Sequence, residues 1–279
     1  MSSTLYNLLK PKPIKDFVRI GSSFDGGYFI KQSTIHQSKV LIGLGIFINW
    51  EFETEFSNIN KNGLHTYLLD ASVSPQFYKT YFIKAIAKFG YYSIKQPLDI
   101  PFFFKKYILN SIGLNKKWNQ FFVNNKATFI QKFFSNKNDD LFISPTELFN
   151  KIVSENELAE NSVFVKMDIE GSEYDVLNEL EKYYKYINCF AIEWHNVDEK
   201  KEQFIKLVTQ LKQAFEIVFV HNNNYAKMID ENFATSMEIT FVKKELIGES
   251  DNVKVDYQKM YSNKNSVCNP TKKDIQPNF

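Results

Sequence analysis

The sequence predicts an α/β protein whose mostly parallel sheet is covered by helices on both faces. Seven short apolar runs stand out, and several are almost continuously apolar, as is typical of strands that are buried on both faces. These runs span residues 39–46, 64–71, 127–134, 162–169, 188–195, 215–222 and 236–244. Helical patterns separate several of the runs, and this alternation of strand and helix is the order that a parallel sheet requires.

Apolar residues recur at helical spacing in the segments 49–59, 172–187 and 198–215, each of which follows a predicted strand. The segment 144–153 begins with serine, proline and, three residues after the serine, glutamate, which is the signature of a capped helix N-terminus. No helical pattern separates the last two apolar runs. We therefore expect these two strands to form an antiparallel pair at one edge of a seven-stranded sheet.

Two regions depart from the alternation of strands and helices. Residues 71–138 hold eleven lysines and seventeen aromatic residues but a single acid, Asp99. We predict a lysine-rich and aromatic insert at about residues 71–126, which is a candidate lid, within a single domain that spans residues 1–248. The polar residues 249–279 predict a loosely attached C-terminal tail.

The composition, with 44% hydrophobic and 24% charged residues, indicates a folded protein rather than a disordered one. Cys189 and Cys268 lack the spacing of a zinc or redox motif and fit a reducing compartment. The N-terminus lacks the apolar run of a signal peptide, and no uncharged apolar stretch is long enough to span a bilayer. We therefore expect a cytoplasmic protein without a transmembrane segment.

Two glycines and one acid predict a nucleoside site at the ends of the first two strands. Gly43 and Gly45 close the first strand, where they let a ligand approach the backbone beside a helix N-terminus. Asp70 closes the second strand, where an acid accepts hydrogen bonds from ribose hydroxyls in doubly wound folds. The third glycine of a dinucleotide site is missing, because Phe47 and Ile48 follow Gly45, and this favours S-adenosylmethionine over NAD. The alternative is that the glycines form only a tight turn and that Asp70 caps a loop.

Acids and histidines follow the later strands. Asp168 follows the fourth strand, Glu193 and His195 close the fifth, and His221 closes the sixth. The carboxyl ends of parallel strands share one edge of the sheet, so we expect these side chains to converge. A single histidine would be a structural residue, but two histidines with acids favour function. His195, or else His221, is the candidate base, with Asp168 and Glu193 orienting it. The same four residues are alternatively ligands of a divalent metal.

Several of these segments resemble the FkbM-type methyltransferases. The strongest match is VKMDIEGSEYDVL at 165–177. Further matches lie at 22–30, 40–53, 191–195, 221–225 and 237–241, in family order over about residues 22–242, with 71–126 unmatched. The resemblance implies a class I, Rossmann-like methyltransferase fold with S-adenosylmethionine as the cofactor. It also implies transfer of the methyl group to a hydroxyl of a sugar or glycan precursor.

Carried over to this chain, the resemblance implies that Gly43, Gly45 and Asp70 bind the cofactor, together with Ala71 and Glu170. Asp168 would lie near the cofactor or the acceptor. Ile42 departs from the pattern, because many class I enzymes carry an acid at that place. A different class of function stays open, namely a catalytically inactive methyltransferase-like module that binds sugars or nucleotides.

The lysines and aromatic residues of the insert suggest the kind of acceptor. Lysines would bind phosphate and aromatic faces would pack on sugar rings, as suits a nucleotide-linked sugar or a precursor of capsule or lipopolysaccharide. Peripheral contact with an anionic membrane is an alternative. Nucleic acid is disfavoured, because most of the aromatic residues are consecutive or helix-spaced, as in core packing.

Overall fold

The computed structural model describes residues 2–248 and 267–279. The strands are β1 (Phe17–Gly21), β2 (Gly27–Lys31), β3 (Val40–Leu44), β4 (His65–Leu69), β5 (Lys126–Ile130), β6 (Phe133–Phe134), β7 (Phe142–Ile143), β8 (Val163–Met167), β9 (Ile187–Trp194), β10 (Phe215–Asn222) and β11 (Met237–Lys243). The α-helices are α1 (Ser2–Leu9), α2 (Gln32–Gln37), α3 (Glu51–Ile59), α4 (Pro75–Lys95), α5 (Ile100–Phe103), α6 (Leu114–Asn124), α7 (Pro145–Glu155), α8 (Glu173–Leu180) and α9 (Lys201–Ala214). Short helical turns cover Pro97–Asp99, Phe104–Ile108, Leu109–Ser111, Glu181–Tyr183 and Lys244–Leu246.

Within the described ranges, seven strands form one sheet in the order β5-β4-β3-β8-β9-β11-β10. All neighbouring strands are parallel except at β11, which runs antiparallel to both β9 and β10. This order is that of a doubly wound nucleotide-binding sheet with one reversed strand inserted before the last. The predicted class I methyltransferase, Rossmann-like fold is confirmed. The antiparallel pair lies at the edge as predicted, with the reversed strand one place inside it.

Helices cover both faces of the sheet and bury two apolar layers. On one face α7, α8 and α9 pack over residues such as Val165 and Phe190, and α1 packs against α9. The other face carries α2, α3 and the β1–β2 hairpin, which enclose Leu41, Phe164 and Val218. The two buried faces explain why the strands have almost continuous apolar sequences.

The insert is helical, with α4 and α6 packed against each other. Its aromatic residues form a third apolar cluster, in which Tyr78, Trp118 and Phe121 are buried beside Trp50. Many of the insert's aromatic residues therefore serve as its own core. Among the described residues, no helix combines the length and apolarity that a membrane-spanning segment needs.

Two features of the fold differ from the sequence-based expectations. The β1–β2 hairpin was not expected, because Arg19 interrupts the apolar residues of β1 and the two strands enclose the polar turn 22–26. The described part of the tail, residues 267–279, is also held firmly. Asn269 exchanges hydrogen bonds with Asn224 at 2.7 and 2.8 Å, and Gln276 accepts one from the Asn222 amide at 2.7 Å. Residues 249–266 of the predicted tail lie outside the described residues.

Candidate active site

A cavity of about 1330 Å³ opens at the carboxyl ends of β3, β4 and β8. This is the position where the chain changes direction across the sheet, between β3 and β8, and ligands of open α/β sheets bind at such switch points. Of the predicted site residues, Gly45 and Asp70 line the cavity from one side and Asp168 and Glu170 from the other. The cavity therefore joins the predicted nucleoside residues to the predicted acids.

Gly45 is required by the way the loops after β3 and β8 meet. Its φ is 74°, and a Cβ at this position would lie 1.6 Å from the carbonyl oxygen of Asp168. A Cβ on Gly43 would lie 2.6 Å from Oε1 of Glu53, a buried side chain of α3 that packs against β3 at this glycine. The close approach that each glycine permits is therefore to protein atoms. This differs from the predicted approach of a ligand, and Gly43 does not line the cavity.

Asp70 holds the loop that follows Gly45. Its Oδ2 accepts a hydrogen bond from the Phe47 amide at 2.8 Å, and its Oδ1 accepts from the amide and hydroxyl of Ser72 at 2.7 and 2.6 Å. The Tyr78 hydroxyl donates to the Phe47 carbonyl at 2.6 Å. A carboxylate offers about four acceptor positions, so Asp70 retains capacity for a ligand hydroxyl. Ala71 does not line the cavity.

His195 stands among carboxylates behind the cavity wall. Its Nδ1 donates to Oε1 of Glu173 at 2.9 Å, and Glu173 is fully buried. Its Nε2 lies 3.8 Å from Asp168 Oδ1, 3.6 Å from Glu170 Oε2 and 3.6 Å from Glu193 Oε1. The structure therefore brings three of the predicted acids, Asp168, Glu170 and Glu193, together around the imidazole of His195, with Glu173 as a fourth.

These carboxylates change the acid–base chemistry expected of His195. Burial opposes the charged imidazolium, but the hydrogen bond to Glu173 and the charge of Glu193 outweigh it and raise the pKa of His195 to about 10. An imidazole that already carries its proton at neutral pH cannot accept another. The environment of His195 therefore argues against the predicted role of general base.

His221 lies apart from the His195 group. It is buried, and its Nδ1 donates to Oε2 of Glu238 at 2.9 Å, with Cys268 beside them. It does not line the cavity, and it groups with Glu238 and Cys268 rather than with His195. The predicted set of four ligands, Asp168, Glu193, His195 and His221, is thus not formed as one group.

Four further charged residues, which the sequence did not single out, lie in or behind the cavity wall, and all but the half-buried Asp25 are buried. They are Asp25 in the hairpin turn, Glu53 on α3, Lys166 on β8 and Glu238 on β11. Burial disfavours the ammonium of Lys166, but the charges of Asp168 and Glu53 raise its pKa. Burial, with the charge of Asp168, raises the pKa of Asp25 to about 6. A sequence signal for two of them existed, because Lys166 is the single charge of β8 and Glu238 is the single acid of β11.

The insert contacts the opposite wall of the cavity at two places. The ring of Phe102 meets that of Phe24 in the hairpin turn, edge to face at 6.2 Å. Lys106 donates a hydrogen bond to the Tyr225 hydroxyl, and its ammonium lies 4.2 Å from the centre of that ring. The cavity lining also includes four further lysines, Lys88, Lys105, Lys117 and Lys132. They lie in the insert or just after β5, whereas the acids of the lining all come from other segments.

No protein-family model and no curated protein sequence matches this chain. Among solved structures, a protein described as an rRNA methylase from Clostridium thermocellum overlaps 76% of this chain and 92% of its own, with 9% identity and a TM-score of 0.38. A precorrin-6y C5,15-methyltransferase from Geobacter metallireducens GS-15 overlaps 76% of this chain and 84% of its own, with 14% identity and a TM-score of 0.37. Any function of this chain is therefore inferred from its own strand order and cavity rather than from these distant likenesses.

Proposed function

We propose that this protein is an S-adenosylmethionine-dependent O-methyltransferase that acts on a sugar hydroxyl. The observation that carries the proposal is the cavity at the switch point of a class I methyltransferase sheet, which joins the Gly45 loop and Asp70 to Asp168 and Glu170. A nucleoside binds on the Gly45 side, and the acids face the remainder of the cavity. The resemblance to FkbM-type enzymes supports the same chemistry.

The residues on the Gly45 side fit the cofactor. Asp70 retains acceptor capacity for a ribose hydroxyl beside the loop that it holds. The N-terminus of α3 lines the same cavity through Asn49, Trp50 and Glu51. The amides of Asn49 and Glu51 already donate to the Ile46 carbonyl and to Asn49 Oδ1, so the positive end of the helix dipole, rather than these two amides, would favour the carboxylate of an amino acid. When bound, S-adenosylmethionine supplies an electrophilic methyl group. The protein's task is to hold an acceptor oxygen in line with it.

The acceptor side of the cavity suits a phosphate-bearing sugar. The volume exceeds the ~300–1,000 Å³ that is usual for one small ligand, so there is room for a cofactor and an acceptor. The lysines of the insert provide positive charge, and Phe102 and Tyr107 provide aromatic faces. Asp168 and Glu170 are placed to accept the hydrogen bond of the reacting hydroxyl. A nucleotide-linked sugar, or a phosphate-bearing glycan precursor, has all the matching groups.

The test is methyl transfer from isotope-labelled S-adenosylmethionine to a panel of nucleotide-linked sugars and uncharged glycosides, with mass spectrometry of the products. The expected result is label on a sugar hydroxyl of a phosphate-bearing acceptor, with loss of turnover in Asp168→Asn. Label on nitrogen or carbon would contradict O-methylation. Binding of the cofactor without transfer to any acceptor would favour the alternative, an inactive module that binds sugars or nucleotides.

A further inference from the structure

We propose that Asp168, Glu170 and His195 bind a divalent cation at the wall of the cavity. One oxygen of each carboxylate and Nε2 of the imidazole all lie within 4.8 Å of one another. Two ligands that are each about 2.1 Å from a shared ion lie about 3 to 4 Å apart, so the observed 3.6 and 3.8 Å leave room for an ion between them. Binding of the ion does not depend on the proposed methyltransferase function; only the role given to the ion rests on that function.

The surroundings of His195 are those of a metal ligand. Glu173 accepts a hydrogen bond from Nδ1–H of His195. This bond orients the ring so that Nε2 faces Asp168 and Glu170. The same Glu173 oxygen accepts hydrogen bonds from the backbone amides of Ile169 and Gly171 at 3.4 and 3.2 Å. Its position is therefore fixed by the backbone of the loop that carries Asp168 and Glu170. Ligating histidines are commonly held in this way by a second carboxylate.

The balance of charge also favours a bound cation. Asp168, Glu170, Glu173 and Glu193 surround the imidazole, and the nearest lysine contact is Lys166 Nζ at 3.9 Å from Asp168 Oδ2. Clustering carboxylates in a partly buried place is costly unless a cation compensates them. Two carboxylates and one imidazole form a ligand set that suits Mn²⁺ and related divalent ions.

The position of the ion gives it a role in the proposed reaction. Asp168 and Glu170 line the cavity, so the open coordination positions would face the acceptor. A sugar hydroxyl that coordinates the ion would pass its proton to solvent more readily, and the resulting oxygen would be the better nucleophile. Because Nε2 of His195 would bind the ion, the ion and not the imidazole would activate the hydroxyl.

The test is a Mn²⁺ titration in which electron paramagnetic resonance measures the free ion. Glu170→Gln and His195→Gln remove single ligands, and Glu170 is largely exposed, so its replacement leaves the fold intact. Asp175→Asn is the matched control, because Asp175 is an exposed carboxylate in the first turn of α8. We expect one Mn²⁺ per wild-type chain, affinity at least tenfold lower (about 1.4 kcal/mol) in both ligand variants, and wild-type affinity in the control.

No binding by the wild-type protein, or wild-type affinity in Glu170→Gln, would overturn the metal site. Titration of the same samples with S-adenosylhomocysteine separates this result from the proposed function. If S-adenosylhomocysteine binds and Mn²⁺ does not, the metal site alone is wrong. If Mn²⁺ binds and S-adenosylhomocysteine does not, the methyltransferase proposal is wrong and the metal site stands.

A separate observation concerns the outer face of α4. This helix buries Tyr78, Tyr81 and Ala85 against the rest of the insert. On its opposite face Ile83, Ile86 and Ile94 are 72%, 48% and 84% exposed, and Leu98 just after the helix is 96% exposed. The spacing of the three isoleucines places them on one stripe. An exposed apolar stripe of this length indicates a surface that contacts another protein or a membrane.

From this stripe and its charges we infer that α4 lies on the surface of an anionic lipid bilayer. The helix carries four lysines and no acid, and the whole of residues 71–126 holds one acid. Apolar side chains on one side of a helix with lysines beside them are the pattern of interfacial helices that bind acidic headgroups. An anionic bilayer carries the charge opposite to that of the lysines on α4. A second copy of this chain would bring the same lysines to the contact, and these would repel each other.

Cosedimentation with vesicles tests the membrane contact. Wild-type protein should bind vesicles of phosphatidylcholine with phosphatidylglycerol, bind phosphatidylcholine alone weakly, and be released by salt. The triple variant Ile83→Ser, Ile86→Ser, Ile94→Ser should lose binding about tenfold or more. A double variant of exposed apolar residues outside the insert, Leu141→Ser and Val153→Ser, should bind as the wild type does. Failure of the wild type to bind acidic vesicles, or a dimer in sedimentation that the triple variant abolishes, would overturn the proposal.

Discussion

Gly45 joins the two halves of the candidate site, since only the absence of a Cβ lets the loop after β3 pass the carbonyl of Asp168. The same residue has a positive φ, which costs a residue with a side chain about 1–2 kcal/mol. Any substitution of Gly45 therefore has two costs, a steric clash and backbone strain. Gly63 has only the backbone strain, because its φ is 75° and a Cβ there would meet nothing within 4 Å.

We expect Gly45→Ala to destabilise the protein far more than Gly63→Ala. The Gly63 variant should lose about 1 kcal/mol from backbone strain alone, whereas Gly45→Ala should lose more than about 3 kcal/mol or fail to fold. Urea unfolding of the two variants beside the wild type measures the difference. Equal losses would show that the contact with Asp168 does not constrain the loop.

The negative charge of Asp70 should contribute to the affinity of the candidate nucleoside site. In Asp70→Asn the affinity for S-adenosylhomocysteine should fall about 10- to 100-fold, because a hydrogen bond to a charged acceptor contributes about 1.5–3 kcal/mol. Tyr78→Phe is the control for loop position, since it removes the bond to the Phe47 carbonyl and leaves the carboxylate in place. Calorimetric titration that gives Asp70→Asn the wild-type affinity would remove Asp70 from the site.

His65 makes the stability of the fold depend on pH. It begins β4, its Nδ1 lies 3.1 Å from Asn156 Oδ1 and its Nε2 lies 2.9 Å from the Thr128 hydroxyl. Burial lowers the pKa of His65 below the usual 6.5, so the unfolded chain takes up this proton at a higher pH than the folded protein does. Stability from this residue is complete above that usual value and is lost as the pH falls below it.

Replacement of His65 with Gln should therefore flatten part of the decline in the free energy of unfolding between about pH 7 and pH 5. Chemical denaturation at several pH values measures the slope. The exposed His36 at the end of α2, replaced in the same way, is the matched control for loss of an imidazole. A decline in the His65 variant as steep as that of the wild type would contradict the assignment.

At the scale of single residues, the sequence predicted the site in part. Asp70, Asp168, Glu170 and His195 could be chosen because each follows a buried strand at the edge where ligands bind. The partners of His195 could not be assigned, because distances between side chains of different strands depend on register. His221 follows the same rule, yet its side chain is taken by Glu238, which lies opposite it on β11.

At the scale of elements, the seven strands of the sheet were predictable and the hairpin was not. The seven apolar runs coincide with β3, β4, β5, β8, β9, β10 and β11, because burial on both faces leaves an unmistakable pattern. The strands β1 and β2 lie outside this sheet and carry Arg19 and Lys31 among their apolar residues, and β1 is mostly half-buried, so the hairpin lacks that pattern. Of the predicted tail, the described residues 267–279 are held by amide side chains and by the ring of Phe279, which packs against Tyr6 and Phe233.

Docking of the tail should contribute measurably to stability. Asn269 is buried, exchanges hydrogen bonds with Asn224, and accepts from the amide and hydroxyl of Thr271. In Asn269→Ala the free energy of unfolding should fall by about 1–3 kcal/mol, because buried partners are left unsatisfied. The exposed Lys273, replaced with Ala, should change it by less than about 0.5 kcal/mol. Equal stability of the two variants would show that residues 267–279 are dispensable.

At the scale of the whole molecule, alternation of strands and helices predicted the fold class, but the order of the strands across the sheet was not predicted. Composition and periodicity alone do not order strands across a sheet, because every buried strand has a similar pattern. The insert shows the same limit. Its lysines and aromatic residues predicted a distinct unit, but not that α4 would have apolar residues on two opposite faces.

The central claim is that the cavity between the Gly45 loop and Asp168 holds an S-adenosyl nucleoside. Isothermal titration of the wild-type protein with S-adenosylhomocysteine, and separately with NAD, tests it most directly. We predict saturable binding of one S-adenosylhomocysteine per chain and no heat from NAD, because Phe47 and Ile48 follow Gly45 where a pyrophosphate site needs its third glycine. Binding of NAD in place of S-adenosylhomocysteine, or of neither, would contradict the account.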